Sequence, residues 1–393
     1  VLFCQPKDLS REIWDGIRLG PEAAVAALGV HEAHSVTELD KLLPSLLENQ
    51  TTVWFPFATH EGLSAQVEGW LNKVRARVRM GVSCPSVQQD ACAWLDEMRL
   101  IKDAHEQDTM RRAARISAAA HVRAMQCSAQ RLREGQPTHE YHLEAELLHE
   151  FRHHGAQFPA YTSIVAAGAN ACVLHYRADT APVRNGELVL IDAGCELDGY
   201  ASDITRTFPA NGRFTAPQRA MYDVVLAAQH AAAAATRPGA RFNDPHDAAV
   251  SVLSQGLLDL GLLTHDQHGS LEDIIEKRAY FRFYMHRTSH WLGMDVHDCG
   301  SYVEPGEPIT EPARPDPISG AMVQPKPSRV LRPGMVLTLE PGLYVRPADD
   351  IPEAYWGIGI RIEDDAIVTP QGCELITRDV PVEPDAIEAL MRG

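Results

Sequence analysis

An eleven-residue pattern occurs twice in this chain, and it constrains the fold more than any other feature. Arg184-Asn-Gly-Glu-Leu-Val-Leu-Ile-Asp192-Ala-Gly194 has a counterpart in Arg332-Pro-Gly-Met-Val-Leu-Thr-Leu-Glu340-Pro-Gly342. Each reads as an arginine, a turn, a glycine, an apolar run, an acid and a glycine. An apolar run bounded by turn signals predicts a buried strand, here one that ends on a carboxylate. Each run is followed by a second strand-like stretch with another acid, Asp203 or Glu363. The simplest consequence is one domain built from two related halves, each bringing two carboxylates to a central cleft.

The turn signal Glu196-Leu197-Asp198-Gly199 separates the first two acids. If those four residues form the loop, Asp192 and Asp203 face each other across a strand pair, about 4.5–5.5 Å apart at Cβ. Two like charges so close repel, and a cation between them relieves the repulsion. In the second half Ile358, Ile360 and Ile362 alternate with Gly359, Arg361 and Glu363, which puts Arg361 and Glu363 on one strand face. A lone strand-end acid is usually solvated or a cap, but four in a duplicated arrangement point to a site. Three histidines, His286, His290 and His297, lie in the stretch Met285 to Asp298. The spacing of these histidines alone does not distinguish ligands from ordinary core residues.

The rest of the chain alternates helix and strand. Asp103 with Glu106 forms a capping-box signature for a long helix that stops at Gly135, and Thr215 with Gln218 opens another that dies at Pro238-Gly239. Helices are also expected over 138–155 and 244–261, and strands over 186–194, 200–208, 335–340 and 358–363. Seven prolines between Glu304 and Pro327 exclude a ladder or helix there. The first hundred residues mix helical stretches such as 21–28 with strand-like runs such as 52–57. The expected organisation is an α/β domain over 1–103, incomplete because the chain begins at Val1, followed by a catalytic domain over 104–393. Net charge is −17, from 36 Lys and Arg against 53 Asp and Glu, which argues against nucleic-acid and anionic-membrane partners. Eight cysteines without a C-x-x-C pair suggest reduced, mostly buried thiols and a cytoplasmic setting.

Five motifs together resemble the Xaa-Pro aminopeptidase (aminopeptidase P) family, related to prolidase and methionine aminopeptidase. They are Leu190 to Gly194, Tyr200 to Phe208, Ser289-His290-Trp291-Leu292-Gly293, Leu339 to Gly342 and Gly357 to Asp364. The resemblance is strong from about Ala160 onward and looser before it. It implies an α+β architecture, with a pita-bread catalytic domain carrying an internal pseudo-twofold repeat. It further implies a metal-dependent hydrolase that removes the first residue of peptides with proline in second position. By the resemblance Asp192, Asp203, His290, Glu340 and Glu363 are metal ligands, with Asp203 and Glu363 bridging two divalent ions. One nitrogen among many oxygens favours manganese over zinc, and the attacking group would be a hydroxide shared by the ions. His175 and His297 would stabilise the carbonyl and oxyanion, Glu340 would shuttle a proton, and His286, Tyr344 and Arg361 would border the proline pocket. A homo-oligomer is expected. Arg287-Thr288 stands where the family has a smaller, Gly-containing pair, and the proline-rich stretch is longer than in compact members. Both bear on substrate length. The alternative within this fold is prolidase, which shares the ligands and takes only dipeptides; a non-catalytic binding protein of the same shell would lack some of them.

A competing motif, His149-Glu150-Phe151-Arg152-His153, matches the H-E-x-x-H zinc pattern. On a helix its histidines lie opposite the apolar Leu143, Leu147 and Phe151, which predicts a solvated face. Gly357-Ile358-Gly359 lacks the third glycine of a dinucleotide loop, and neither a P-loop nor a G-x-S-x-G elbow occurs.

Overall fold

The computed structural model of the chain describes every residue except 58, 178, 179 and 393. The chain forms two compact units, Val1–Leu95 and Asp96–Gly393. The first holds two parallel strand pairs, Leu2–Cys4 with Ala33–Ser35 and Thr52–Phe55 with Val87–Asp90. Among its helices are Gly20–Leu28 and Leu63–Arg75, the latter burying Val67, Trp70, Leu71 and Val74.

The second unit is built twice over. In each half a helix pair precedes a strand system. Helix Ala104–Arg133, capped by the expected Asp103/Glu106 box, packs on Glu140–His153, and the Thr215/Gln218 box opens Ala216–Ala235, which packs on Asp244–Asp259. In the first half Leu188–Asp192 lies between Ile164–Ala167 and Thr205–Pro209, all antiparallel. In the second, Val336–Leu339 pairs with Asp364–Thr369, which pairs with Gly372–Leu375. One continuous core joins the halves, with Val189, Ile191, Val225, Leu253, Leu337, Leu339, Ile360 and Ile362 all fully buried. Each such side chain contributes roughly 1.5–3 kcal/mol by leaving water.

The strand register corrects the expected one. Asp192 pairs with Thr205, not Asp203, and the stretch 200–208 is two strands, Tyr200–Ala201 and Thr205–Pro209. The loop has two residues rather than four: Asp198 and Gly199, at φ 51° and 81°, turn between Leu197 and Tyr200. Positive φ at both positions is what a two-residue hairpin turn of the right twist demands, and Asp-Gly supplies it. The shorter loop shifts the pairing by two residues, which keeps every side chain on its face but moves Asp203 beyond Asp192, opposite Gly194.

In the second half Gly342 pairs with Arg361 and Leu339 with Asp364, so the same register sets Glu340 opposite Glu363. The equivalence of Asp203 and Glu363 suggested by the sequence is therefore replaced by two others: Asp203 corresponds to Arg361, and Thr205 to Glu363. The two glycines confirm the match. A Cβ on Gly194 would lie 1.7 Å from the Ser202 carbonyl oxygen, and one on Gly342 would lie 2.7 Å from that of Ile360. At each repeat glycine the facing segment leaves no room for a Cβ.

The proline-rich stretch is irregular apart from a small pair, Arg314–Pro315 with Met322–Val323. All eight cysteines are free, but only Cys172 and Cys195 are buried, fewer than expected.

Candidate metal centre

Strand ends from both halves meet across the pseudo-axis. The Thr205 hydroxyl donates to Glu363 Oε2 at 2.6 Å and the Glu363 amide donates to the Thr205 carbonyl at 3.0 Å. Beside them Arg206 and Asp364 form a fully buried ion pair at 2.7 Å. These contacts fix the distance between the halves and therefore between their acids.

Asp192, Asp203, His290, Glu340 and Glu363 all line one cavity of about 660 Å³, together with His175, His286, His297 and Arg361. The ligand atoms of Asp203, His290 and Glu363 lie within 4.8 Å of one another. His290 Nδ1 sits 3.0 Å from the Trp291 carbonyl, so that nitrogen carries the hydrogen when the ring is neutral. Nε2 then turns its lone pair toward Asp203 at 3.5 Å and Glu340 at 3.7 Å. Lone pair against carboxylate is repulsive unless a proton or a metal ion intervenes, and a free Nε2 aimed at carboxylates is the arrangement a metal ligand needs.

The electrostatics point the same way. Burial, then the neighbouring Asp203, Glu340 and Asp192, hold the Glu363 carboxyl well above the usual range. Burial also raises Asp203, and it pushes Glu340 to about 7 although His290 and Arg361 pull it down. Burial alone would lower His290, but Asp203 and Glu340 drive it up to about 9. These shifts describe an excess of buried negative charge, which divalent cations would neutralise. The donor set therefore fits hard divalent ions.

The remaining expected residues surround this cluster. His175 follows a 3₁₀ turn, Gly168–Cys172, and its segment is tied down by buried Glu140, which accepts from the Ala167 and Ala181 amides, Asn170 and the Tyr176 hydroxyl. His297 packs edge-on against His290, ring centroids 4.4 Å apart, and burial lowers its pKa. Burial and the Arg361 charge bring His286 down to about 3, so it is neutral. Its Nε2 meets the Tyr344 hydroxyl at 2.8 Å, and that hydroxyl accepts from Arg361 at 2.9 Å. Tyr344 is buried behind the cavity wall and reaches the site through these two neighbours. Arg361 is engaged by Asp192 at 2.5 Å and Thr205 at 3.0 Å.

Three participants escaped the sequence analysis. The Tyr161 hydroxyl lies 2.6 Å from Asp192 and 2.5 Å from Asp203, serving one at a time with its single hydrogen. It precedes the strand in which Ile164 pairs with Asp192, and only that register places it. Thr205 reads as an ordinary strand residue until the register is known. Asp365 accepts the Asp203 amide at 3.1 Å and so orients that acid. His149 and His153, in contrast, are exposed on the outer face of their helix, with rings stacked 5.5 Å apart, while Leu143, Leu147 and Phe151 are buried. The zinc pattern is a solvated helix face.

The sequence pattern of metallopeptidase family M24 matches residues 108–370, and that of the aminopeptidase P N-terminal domain matches residues 1–54. The chain belongs to metallopeptidase family M24. Its relatives narrow the class. It is 42% identical to Xaa-Pro aminopeptidase of Escherichia coli (strain K12) over 391 residues, all of this chain and 82% of that one, and 40% identical to the Haemophilus influenzae Xaa-Pro aminopeptidase, of which it covers 81%. The solved structure of Pseudomonas aeruginosa aminopeptidase PepP superposes with a TM-score of 0.89 at 44% identity, covering this chain fully and 82% of that chain. The fold is the aminopeptidase P arrangement, with its pita-bread domain following an N-terminal domain.

Proposed function

We infer that this protein is an Xaa-Pro aminopeptidase, a metal-dependent hydrolase that removes the first residue from peptides with proline in second position. The observation that carries this reading is the meeting of four carboxylates, two from each half, with His290 in one cavity. The relatives named for that activity support it over all of this chain and about four fifths of their own length, 82% and 81%.

A bond to proline has no N–H, so recognition cannot use that amide and must read the ring and its neighbours. Phe242, Val296 and Tyr302 line the cavity and would pack against that ring, and neutral His286 borders it, held by Tyr344. Asp192, Asp203, His290, Glu340 and Glu363 would hold two divalent ions, with manganese the ion of choice for so oxygen-rich a set. Bound there, such ions acidify a water and polarise the scissile carbonyl. Glu340, which lines the cavity beside His290, would take a proton from the attacking water and pass it to the departing proline nitrogen. His175 and His297, which line the same cavity, would donate to the developing oxyanion. Asp192 would hold the substrate's free amine. The eight free cysteines are in keeping with a reducing cytosol, no helix among the described residues is long and apolar enough to cross a membrane, and a homo-oligomer is the assembly expected, open to light scattering.

The decisive assay compares hydrolysis of Xaa-Pro dipeptides with Xaa-Pro-Xaa tripeptides after metal loading. Tripeptide cleavage to a free first residue is the expected result. Cleavage of dipeptides alone would make the protein a prolidase.

A further inference from the structure

The cavity holds two cations that the mechanism does not use. Arg177 and Arg287 both line it, and both are exposed. Among the described residues neither guanidinium lies within ion-pair distance of a carboxylate. Arg361, the other arginine of the cavity, is by contrast bound to Asp192. Arg287 is oriented by a donation to Asn243 Oδ1 at 2.5 Å, and Asn243 lines the cavity too. The Arg287 carbonyl lies 2.8 Å from His286 Nδ1, so this arginine is anchored to the residue at the proline pocket. Arg177 follows His175 by two positions.

The lining therefore carries both signs of charge: Asp192, Asp203, Glu340 and Glu363, and two guanidiniums that form no ion pair among the described residues, Arg287 acting on Asp247 only at longer range. A short peptide is a zwitterion whose amine belongs with the acids. Its opposite end, one or two residues past the proline and about 3.3–3.6 Å further per residue, carries the charge that the arginines are able to pair. Guanidinium recognises carboxylate by paired, charge-assisted hydrogen bonds, and opposed charges in one cleft also fix substrate direction.

We propose that Arg177 and Arg287 form a subsite for a substrate carboxylate on the leaving-group side of proline, so that short peptides with a negative charge there are favoured. This rests on the Xaa-Pro aminopeptidase reading. The carboxylate has two sources, a free C-terminus or an acidic side chain at the third residue.

The test measures KM and kcat of the metal-loaded enzyme on Ala-Pro-Ala against Ala-Pro-Ala-amide, and on Ala-Pro-Asp-amide against Ala-Pro-Ala-amide. A lower KM, by about tenfold, is expected for the free acid, the Asp peptide or both, and which pair responds identifies the source. The discrimination should lie in KM rather than kcat, because the carboxylate is bound alike in ground and transition states. It should shrink as salt is added. The double variant Arg177→Ala/Arg287→Ala should bring the ratio to about one, and Arg287→Lys should retain part of it. Equal KM values for all three peptides in the wild-type protein, or an unchanged ratio in the double variant, would overturn the subsite while leaving the peptidase reading intact. Failure to cleave any of the three would overturn that reading and the subsite with it.

Discussion

The two halves of the second unit share a backbone plan and divide the chemistry unequally. Where the second half sets Glu340 opposite Glu363, the first sets Asp192 opposite Thr205; where the first has Asp203, the second has Arg361. A duplicated scaffold thus carries three different residue pairs at equivalent positions: Asp192 and Glu340, Asp203 and Arg361, Thr205 and Glu363. Perfect symmetry would put four acids around the axis with no buried cation, or two arginines among them. The asymmetry leaves one arginine to balance part of the charge and one hydroxyl to donate to Glu363. Symmetry supplies the frame, and its breaking supplies a site with room for cations.

The largest expected effect breaks the halves apart at one equivalent pair. Glu363→Ala should abolish turnover and lower metal content, because a proposed ligand is lost and more weakly held ions no longer offset the charge of the remaining acids. Wild-type kcat with metal retained would show that this position is not a ligand. Thr205→Ala, at the matching position, should be far milder.

The glycines sharpen the comparison through stability. Gly194→Ala forces a Cβ into the Ser202 carbonyl and should cost on the order of 4 kcal/mol in denaturant unfolding, whereas Gly342→Ala, with more space, should cost about half as much. Equal costs would mean that the two crossings are not equally rigid frames with different gaps.

His297→Ala should keep its metals and lose kcat by roughly 10²–10³, with KM changed less, as for removal of an oxyanion donor. Steady-state kinetics with elemental analysis of the same sample decides this; metal loss would make His297 a ligand. Thr205→Ala should follow at roughly ten- to a hundredfold in kcat/KM, from the loss of the hydroxyl's hydrogen bonds with Glu363 and Arg361, read in the same assay. The smallest effect belongs outside the repeat: His149→Ala with His153→Ala should leave turnover within twofold, since an exposed helix face makes no contact with the cavity.

Much of this was legible from residues alone, for identifiable reasons. The duplicated strands, the Asp103 and Thr215 caps and the apolar face of Leu143, Leu147 and Phe151 are local patterns, and local patterns survive in sequence. The five proposed ligands were reachable because four sit at or near strand ends in a repeat, and His290 came with the family resemblance. What failed depended on a single turn. Asp198-Gly199 can serve in a four-residue or a two-residue loop, and the choice moves the register by two without disturbing the inside-outside alternation, so hydrophobic pattern cannot detect it. Tyr161 and Asp365 were invisible for a related reason. Each acts through one hydrogen bond to an acid far away in sequence, and no periodicity encodes such a bond.

The central claim is that both halves together hold the metal, and counting and locating the ions tests it directly. Elemental analysis combined with anomalous scattering from a metal-loaded crystal should find two divalent ions per chain, among Asp192, Asp203, His290, Glu340 and Glu363. A single ion bound by the acids of one half, or ions at His149 and His153, would contradict the account.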